Sequence, residues 1–260
     1  MVQGLREHAG LSRVEFAERV RFSKHTVASV ELGRRMPDAA FVDRAEEVFG
    51  STGALRRAAA HLVRQPGLAS WFRRWAELET SAITLYIYES RLIPGLLQTE
   101  AYARSLFTNQ LPPLEDAQIE AQWEARAERQ RLLQDRPNTA FNFLLEEHLF
   151  RRRTGGADVT RELLDHVMGV AAMRNVEIQI MPTEQEAHAG LDGPMQLLET
   201  PDIKWFAYCE GQRGGLFISD VKEISVLQRR YARMRSQALT LADSMSLLRQ
   251  MRGELCPGPN

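Results

Sequence analysis

The stretch SKHTVASVELGRR, residues 23–35, gathers a lysine, an imidazole and several hydroxyls within a few residues. On a helical wheel at ~100° per residue, Lys24, His25, Ala28, Ser29 and Leu32 share one arc. Val27 and Val30 lie on the other side. Two valines make a narrow stripe for a helix that only covers a core. The opposite arc offers donors and a cation around a small alanine, so a partner can approach closely. Gly33 is the expected helix end, and Arg34 and Arg35 follow it. This is the chemistry of contact with a polar, anionic surface, not of making or breaking bonds.

The neighbouring residues read as elements that hold this helix. Gly10 suits a helix C-terminal cap. Ser12 opens SRVEFAERV with Glu15 at the capping-box spacing, and Phe16, Ala17 and Val20 form the inward stripe. Arg21-Phe22 is the turn, and the Ser23 hydroxyl caps the next helix. Pro37-Asp38 starts a further helix with Phe41, Ala45, Val48 and Phe49 inward and Gly50 at its close. Two short helices joined this way form a helix–turn–helix, in which the second helix lies in the major groove of double-stranded DNA. That groove, ~12 Å wide, admits a helix whose exposed face is not bulky. The expected DNA-binding set is Arg13, Ser23, Lys24, His25, Thr26, Ser29, Arg34 and Arg35. Lys24, His25 and Ser29 would read bases, while Arg13, Arg34, Arg35 and the free N–H groups of both helix starts would take phosphates.

The string LREHAGLSRVEFAERVRFSKHTVASVELGRRMPD resembles the Cro/lambda-repressor class of helix–turn–helix, the XRE family. The resemblance implies that the three outward recognition positions are Lys24, His25 and Ser29. It also implies a structural pair between Arg6 and Glu31. A glutamine that positions the recognition helix often stands where this chain has Arg13. One departure is Arg21, at a turn position where glycine is usual because φ is commonly positive there. A non-glycine residue in that conformation costs roughly a kcal/mol.

Composition bounds the rest. The 260 residues are 44% hydrophobic and 26% charged, as in ordinary globular proteins. Residues 1–70 hold 11 Lys/Arg against 8 Asp/Glu, and the remainder 22 against 26. A mildly basic head on an acidic body fits a nucleic-acid-binding module joined to something else. No apolar run is long enough to span a bilayer, and MVQGLREHAG has no apolar export segment. Two cysteines, Cys209 and Cys256, suggest free thiols in a reducing cytoplasm. The expectation is a cytoplasmic protein with no membrane partner.

The expected fold class is α+β overall: an all-α helix–turn–helix domain over 1–53, a helical linker over 54–70, a mixed α/β domain over 71–252 and a tail over 253–260. QPG at 65–67 breaks the linker helix. Glu115–Arg136 reads as a charged helix, TAFNFLLEEHLF as strand-like then helical, and Thr160–Arg174 as an amphipathic helix. VEIQIMP, MQLLET, IKWFAYCE and LFIS read as strands, with GQRGG as a hairpin turn. The last helix repeats Ile224, Leu227, Tyr231, Met234, Ala238, Leu241, Met245 and Leu248 in an unbroken a/d pattern. It predicts one long helix, either along the domain's own core or as a homodimer or partner-docking face. Trp71, Trp75, Tyr86 and Tyr88 either line an apolar effector pocket or belong to the core.

The six histidines form no metal-ligand spacing, so neither metal nor cofactor is expected. Glu146-Glu147-His148 reads as a solvated patch, and His188 and Asp192 flank a loop with no nucleophile nearby. No convergent catalytic set is visible, and the chain is expected not to be an enzyme.

WFRRWAELE, YESRLIPGLLQTEAYA, AHAGLDGPMQLLE and EGQRGGLFISD resemble the uncharacterised C-terminal domain attached to this head in many filamentous-actinobacterial regulators. Such proteins are commonly encoded beside a small partner protein and have been described as antitoxin-like. The resemblance implies a regulator of transcription whose body receives a partner protein or small-molecule effector. Its alternative is an antitoxin-like protein that sequesters a small partner and autoregulates its own operon.

Overall fold

The computed structural model describes residues 1–32, 37–60, 72–211 and 214–255. Gly33, Arg34, Arg35, the break at 65–67, Trp71, the middle of GQRGG and Cys256 lie outside the described residues. The chain divides into two units, residues 1–64 and 65–260.

Short amphipathic segments build the first unit as α1 (Val2–His8), α2 (Arg13–Val20), α3 (Lys24–Glu31), α4 (Ala39–Val48) and α5 (Ala54–Ala60). Their buried stripes meet in one core of Leu11, Phe16, Ala17, Val20, Val27, Phe41, Val42, Ala45 and Leu55. Phe16 stacks on Phe49 at 5.0 Å and meets Phe41 edge-on at 6.3 Å. The stretch from residue 54, expected as a linker, is in its described part a helix of this unit. The reason is Glu46, a buried carboxylate on α4. It accepts from the backbone N–H of Gly53 at 2.6 Å, of Leu55, and of Arg56 at 3.4 Å. Those orphan donors at the start of α5 thus find their acceptor on α4. Burial raises the Glu46 carboxyl, but the three N–H groups outweigh it and hold it below the usual range.

The second unit runs α6 (Arg73–Glu79), β1 (Thr84–Glu89), a 3-10 turn (Gly95–Leu97), α7 (Glu100–Thr108), α8 (Asp116–Gln130), α9 (Leu132–Asp135), β2 (Ala140–Glu146), α10 (His148–Arg151), α11 (Ala157–Ala171), β3 (Val176–Met181), β4 (Met195–Glu199), β5 (Trp205–Gly211), β6 (Gly214–Ile218), α12 (Val221–Gln237) and α13 (Leu241–Glu254). Among the described residues the sheet has six strands in the order β3-β2-β1-β4-β5-β6. The first three are parallel and the last three antiparallel to their neighbours. Successive strand residues point to opposite faces. Leu85, Ile87, Phe141, Phe143, Ile178 and Ile180 enter one core with α11 and α13. Tyr88, Leu144, Met195 and Leu197 enter the other with α12. No described helix is long and apolar enough to cross a membrane.

Two expectations are corrected here, and one left open is decided. The single long helix is two, because the chain turns at Ala238–Thr240 to pass round the β3 edge. Leu239 N–H donates to the Ile180 carbonyl, and Ile180 N–H to the Ser244 hydroxyl, both at 2.9 Å. This link covers an otherwise open sheet edge. The proposed dimer or partner face is therefore split. Ile224, Leu227, Tyr231 and Met234 pack on one side of the sheet, Met245 and Leu248 on the other, and Leu241 is 43% exposed. The aromatic cluster is divided in the same way. Trp75 packs near Tyr208 at 5.7 Å on the first face, while Tyr86 stacks on Tyr231 at 4.8 Å on the second. Of the two readings of these aromatics the core one holds: Trp75 and Tyr88 are buried in the two cores, and Tyr86 packs against the second.

The second correction concerns Glu146-Glu147-His148, where both carboxylates are buried. Glu146 ends β2 and accepts from the Tyr88 hydroxyl and His188 Nε2, each at 2.7 Å. Gly190 N–H donates to His188 Nδ1 at 2.8 Å, which leaves the ring proton on Nε2. Glu147 accepts from Thr183 N–H at 2.9 Å and Arg151 Nε at 2.5 Å. Together they latch the 183–190 loop onto the sheet. A solvated patch follows if the three residues are helical and point apart, but Glu146 is the last residue of β2 and α10 begins only at His148.

The break between α12 and α13 is held by Thr240, whose hydroxyl accepts from Asp243 N–H at 3.1 Å. Thr240→Ala removes this cap and should destabilise the second unit by ~1 kcal/mol. Thermal denaturation followed by tryptophan fluorescence checks it, with Tm expected to fall by about 2–4 °C.

Candidate nucleic-acid interface

The candidate site is the exposed side of α2 and α3. Each helix starts on a serine cap. Ser12 Oγ accepts from Glu15 N–H at 3.2 Å, and Glu15 answers by accepting from Ser12 N–H at 2.7 Å. Ser23 Oγ accepts from Thr26 N–H at 3.0 Å and lies 2.9 Å from the Thr26 hydroxyl. Between the helices Arg21 adopts the left-handed conformation, φ 55° and ψ 44°, as the resemblance implied for its position. Arg44 of α4 steadies this turn. Its Nη1 donates to the Val20 and Arg21 carbonyls at 3.3 and 3.5 Å, and its guanidinium lies 5.5 Å over the Phe22 ring. Sequence reasoning missed Arg44. Its place on the outward side of α4 gave it the look of an ordinary surface charge.

Val27 is wholly buried and Val30 packs partly against the core, which fixes the rotation of α3. Lys24 and His25 are exposed at its N-terminal end, Thr26, Ala28 and Ser29 are half-buried, and Leu32 is exposed just beyond its last residue. The polar arc faces away from the core. Arg34 and Arg35 cannot be placed on it, because they lie outside the described residues.

The last residue of α3 ties three helices together. Glu31, whose side chain is wholly buried, pairs with Arg6 Nε at 2.5 Å and with Arg13 Nε at 2.8 Å. Arg6 also donates from Nη1 to the Leu11 carbonyl at 2.8 Å. Burial raises the Glu31 carboxyl, but the two guanidinium groups outweigh it and keep it below the usual carboxylate range. Arg13 was expected to flank phosphates. The structure commits its Nε to Glu31 and leaves the side chain about one-third exposed. Its first task is to orient α3, a role the family resemblance gives to a glutamine at this place. A helical wheel of α3 alone does not reveal this second contact to Glu31, which comes from α2.

Glu31→Gln leaves two guanidinium groups without their carboxylate and should destabilise the first unit by ~3 kcal/mol. A carboxyl held below its unfolded value contributes stability that is complete above the ordinary carboxylate pKa. That stability is lost as pH falls through the lowered value. Protection factors of the amides in residues 2–31 of the intact chain, taken against the intrinsic exchange rate at each pH, should therefore fall below about pH 4. In Glu31→Gln they should be low already at neutral pH and less dependent on acid.

Two families match the chain. Residues 2–59 match a helix-turn-helix domain and residues 72–250 match a domain of unknown function, DUF5753. No curated protein and no solved structure matches it.

Proposed function

Since the chain belongs to the DUF5753 family and carries a helix-turn-helix domain before that region, we propose that it is a sequence-specific DNA-binding transcriptional regulator of the XRE class. The observation that carries this reading is the outward arc of α3. Lys24 and His25 stand exposed at its N-terminal end, and Ser29 follows one turn on, around the small Ala28. An arc of this kind enters the major groove and meets base edges, while cationic groups and the starts of α2 and α3 meet phosphates. Lys24, His25 and Ser29 set sequence preference; Arg13, through Glu31, sets the angle at which they arrive.

One such helix reads few bases, so the regulator works as a cytoplasmic homodimer whose heads read half-sites roughly 10 bp apart or a multiple of that. The second unit binds and does not catalyse. It receives an effector or a partner protein, and that event changes the affinity of the heads for DNA.

Selection from a random duplex pool tests the reading. The wild-type chain should enrich a pseudo-palindrome, and Lys24→Ala/His25→Ala should lose at least tenfold in affinity for it, the ~1–3 kcal/mol of a base contact. Binding of unrelated duplex should change far less. A double variant that enriches the same sequence with the same affinity would contradict the assignment.

A further inference from the structure

Six buried side-chain polar atoms have no hydrogen-bond partner among the described residues, and five of them gather at one end of the sheet. They are Trp75 Nε1, Glu89 Oε2, Arg91 Nε, Gln196 Oε1 and the Tyr208 hydroxyl; the sixth is on His166. Strand register brings them together. Ile87 pairs with Gln196 and Gln196 with Tyr208, so these side chains share the face that carries α6. Glu89 stands two residues beyond Ile87, and Glu210 two beyond Tyr208, on that same face. The Trp75 and Phe72 rings close over Tyr208 at 5.7 and 5.4 Å. Gly215 pairs with Glu210, and a Cβ there would collide with the Tyr208 hydroxyl. Glycine thus admits the phenol.

Each buried group left unpaired costs ~1–3 kcal/mol, so five at one place are a strong demand for an outside partner. The charges point to its sign. Arg91 pairs with Glu210 at 3.3 Å and Arg129 with Glu79 at 2.8 Å. Among the described residues Arg126, one turn before Arg129, donates to the Gln98 amide oxygen and lies 4.8 Å over the Phe107 ring. Among the described residues no carboxylate forms an ion pair with it, and the acidic charge that acts on it is that of Glu210.

We propose that this end of the sheet binds a small organic anion that carries hydroxyl or amino donors beside its charge. Arg126 and the Arg91, Trp75 and Tyr208 donors take the anionic oxygens. Gln196 and Glu89 take the ligand's own donors, and the rings of Phe72, Trp75 and Tyr208 cover its carbon frame. Burial pushes the Glu89 carboxyl up to about 7, so near neutrality it can accept or donate. The inference names the effector class of the second unit and rests on the regulatory reading only for its consequence on DNA.

The test uses the full chain with malate, citrate, L-glutamate, glucose 6-phosphate and inorganic phosphate, at matched ionic strength. At a hundredfold excess over Kd, a binding member should raise Tm by about 5 °C or more and change the fluorescence of Trp75. A shift with the carboxylates alone assigns a carboxylate ligand, and one with the phosphates alone a phosphorylated ligand. Tyr208→Phe and Glu89→Gln should each weaken binding tenfold or more. Without ligand, Tyr208→Phe should leave Tm unchanged or raised, because it deletes an unpaired buried hydroxyl. No shift with any member, or a lower Tm for unliganded Tyr208→Phe, overturns the site: the hydroxyl is then held by water. DNA affinity read by fluorescence anisotropy separates the two claims. Ligand binding that leaves it unchanged upholds the site and contradicts only the regulatory role.

Discussion

The carboxylate of Glu31 is the constraint on which the first unit depends. It ends α3, yet its two oxygens meet guanidinium groups from α1 and α2. A charge taken out of water is tolerable only with such partners, so the three helices can pack in one arrangement that satisfies it. That arrangement turns the valines of α3 inward and its polar arc outward. The buried ion pair thus specifies the orientation of a surface helix, which hydrophobic packing through Val27 and Val30 alone would hold loosely.

Around that pair, the backbone is organised by local hydrogen bonds. Serine caps start both helices, and the strained Arg21 between them is held by Arg44 from α4. The left-handed residue is tolerated because its neighbours are over-determined, the usual condition for such strain. The same device recurs at Glu46, where one buried carboxylate supplies the acceptor that the start of α5 requires.

Much of this head was legible in the sequence because its signals are local. Ser12 with Glu15, Ser23, and Asp38 before Phe41 each announce a helix within four residues. The body was less legible where structure depends on partners far along the chain. TLYIYE carries no alternation that marks a strand, although it is β1 at the centre of the sheet. Buried on both faces, it shows an almost continuous apolar run instead of an alternation. The break between α12 and α13 was hidden by an a/d repeat that continues across it by coincidence. Thr240 and Asp243, at capping spacing, were the sign of it. Glu146 and His188 are 42 residues apart, and no spacing rule could join them. The orphan groups around Tyr208 arise from strand register and could not be read at all.

The central claim is that the exposed arc of α3, with the start of α2, is the face that meets DNA. Titrating a duplex into the 15N-labelled full chain and following backbone amide shifts tests it most directly. The account predicts the largest shifts at residues 12–14 and 23–29, reduced by added salt. Shifts centred instead on α1 and α4, with residues 23–29 unmoved, would contradict it.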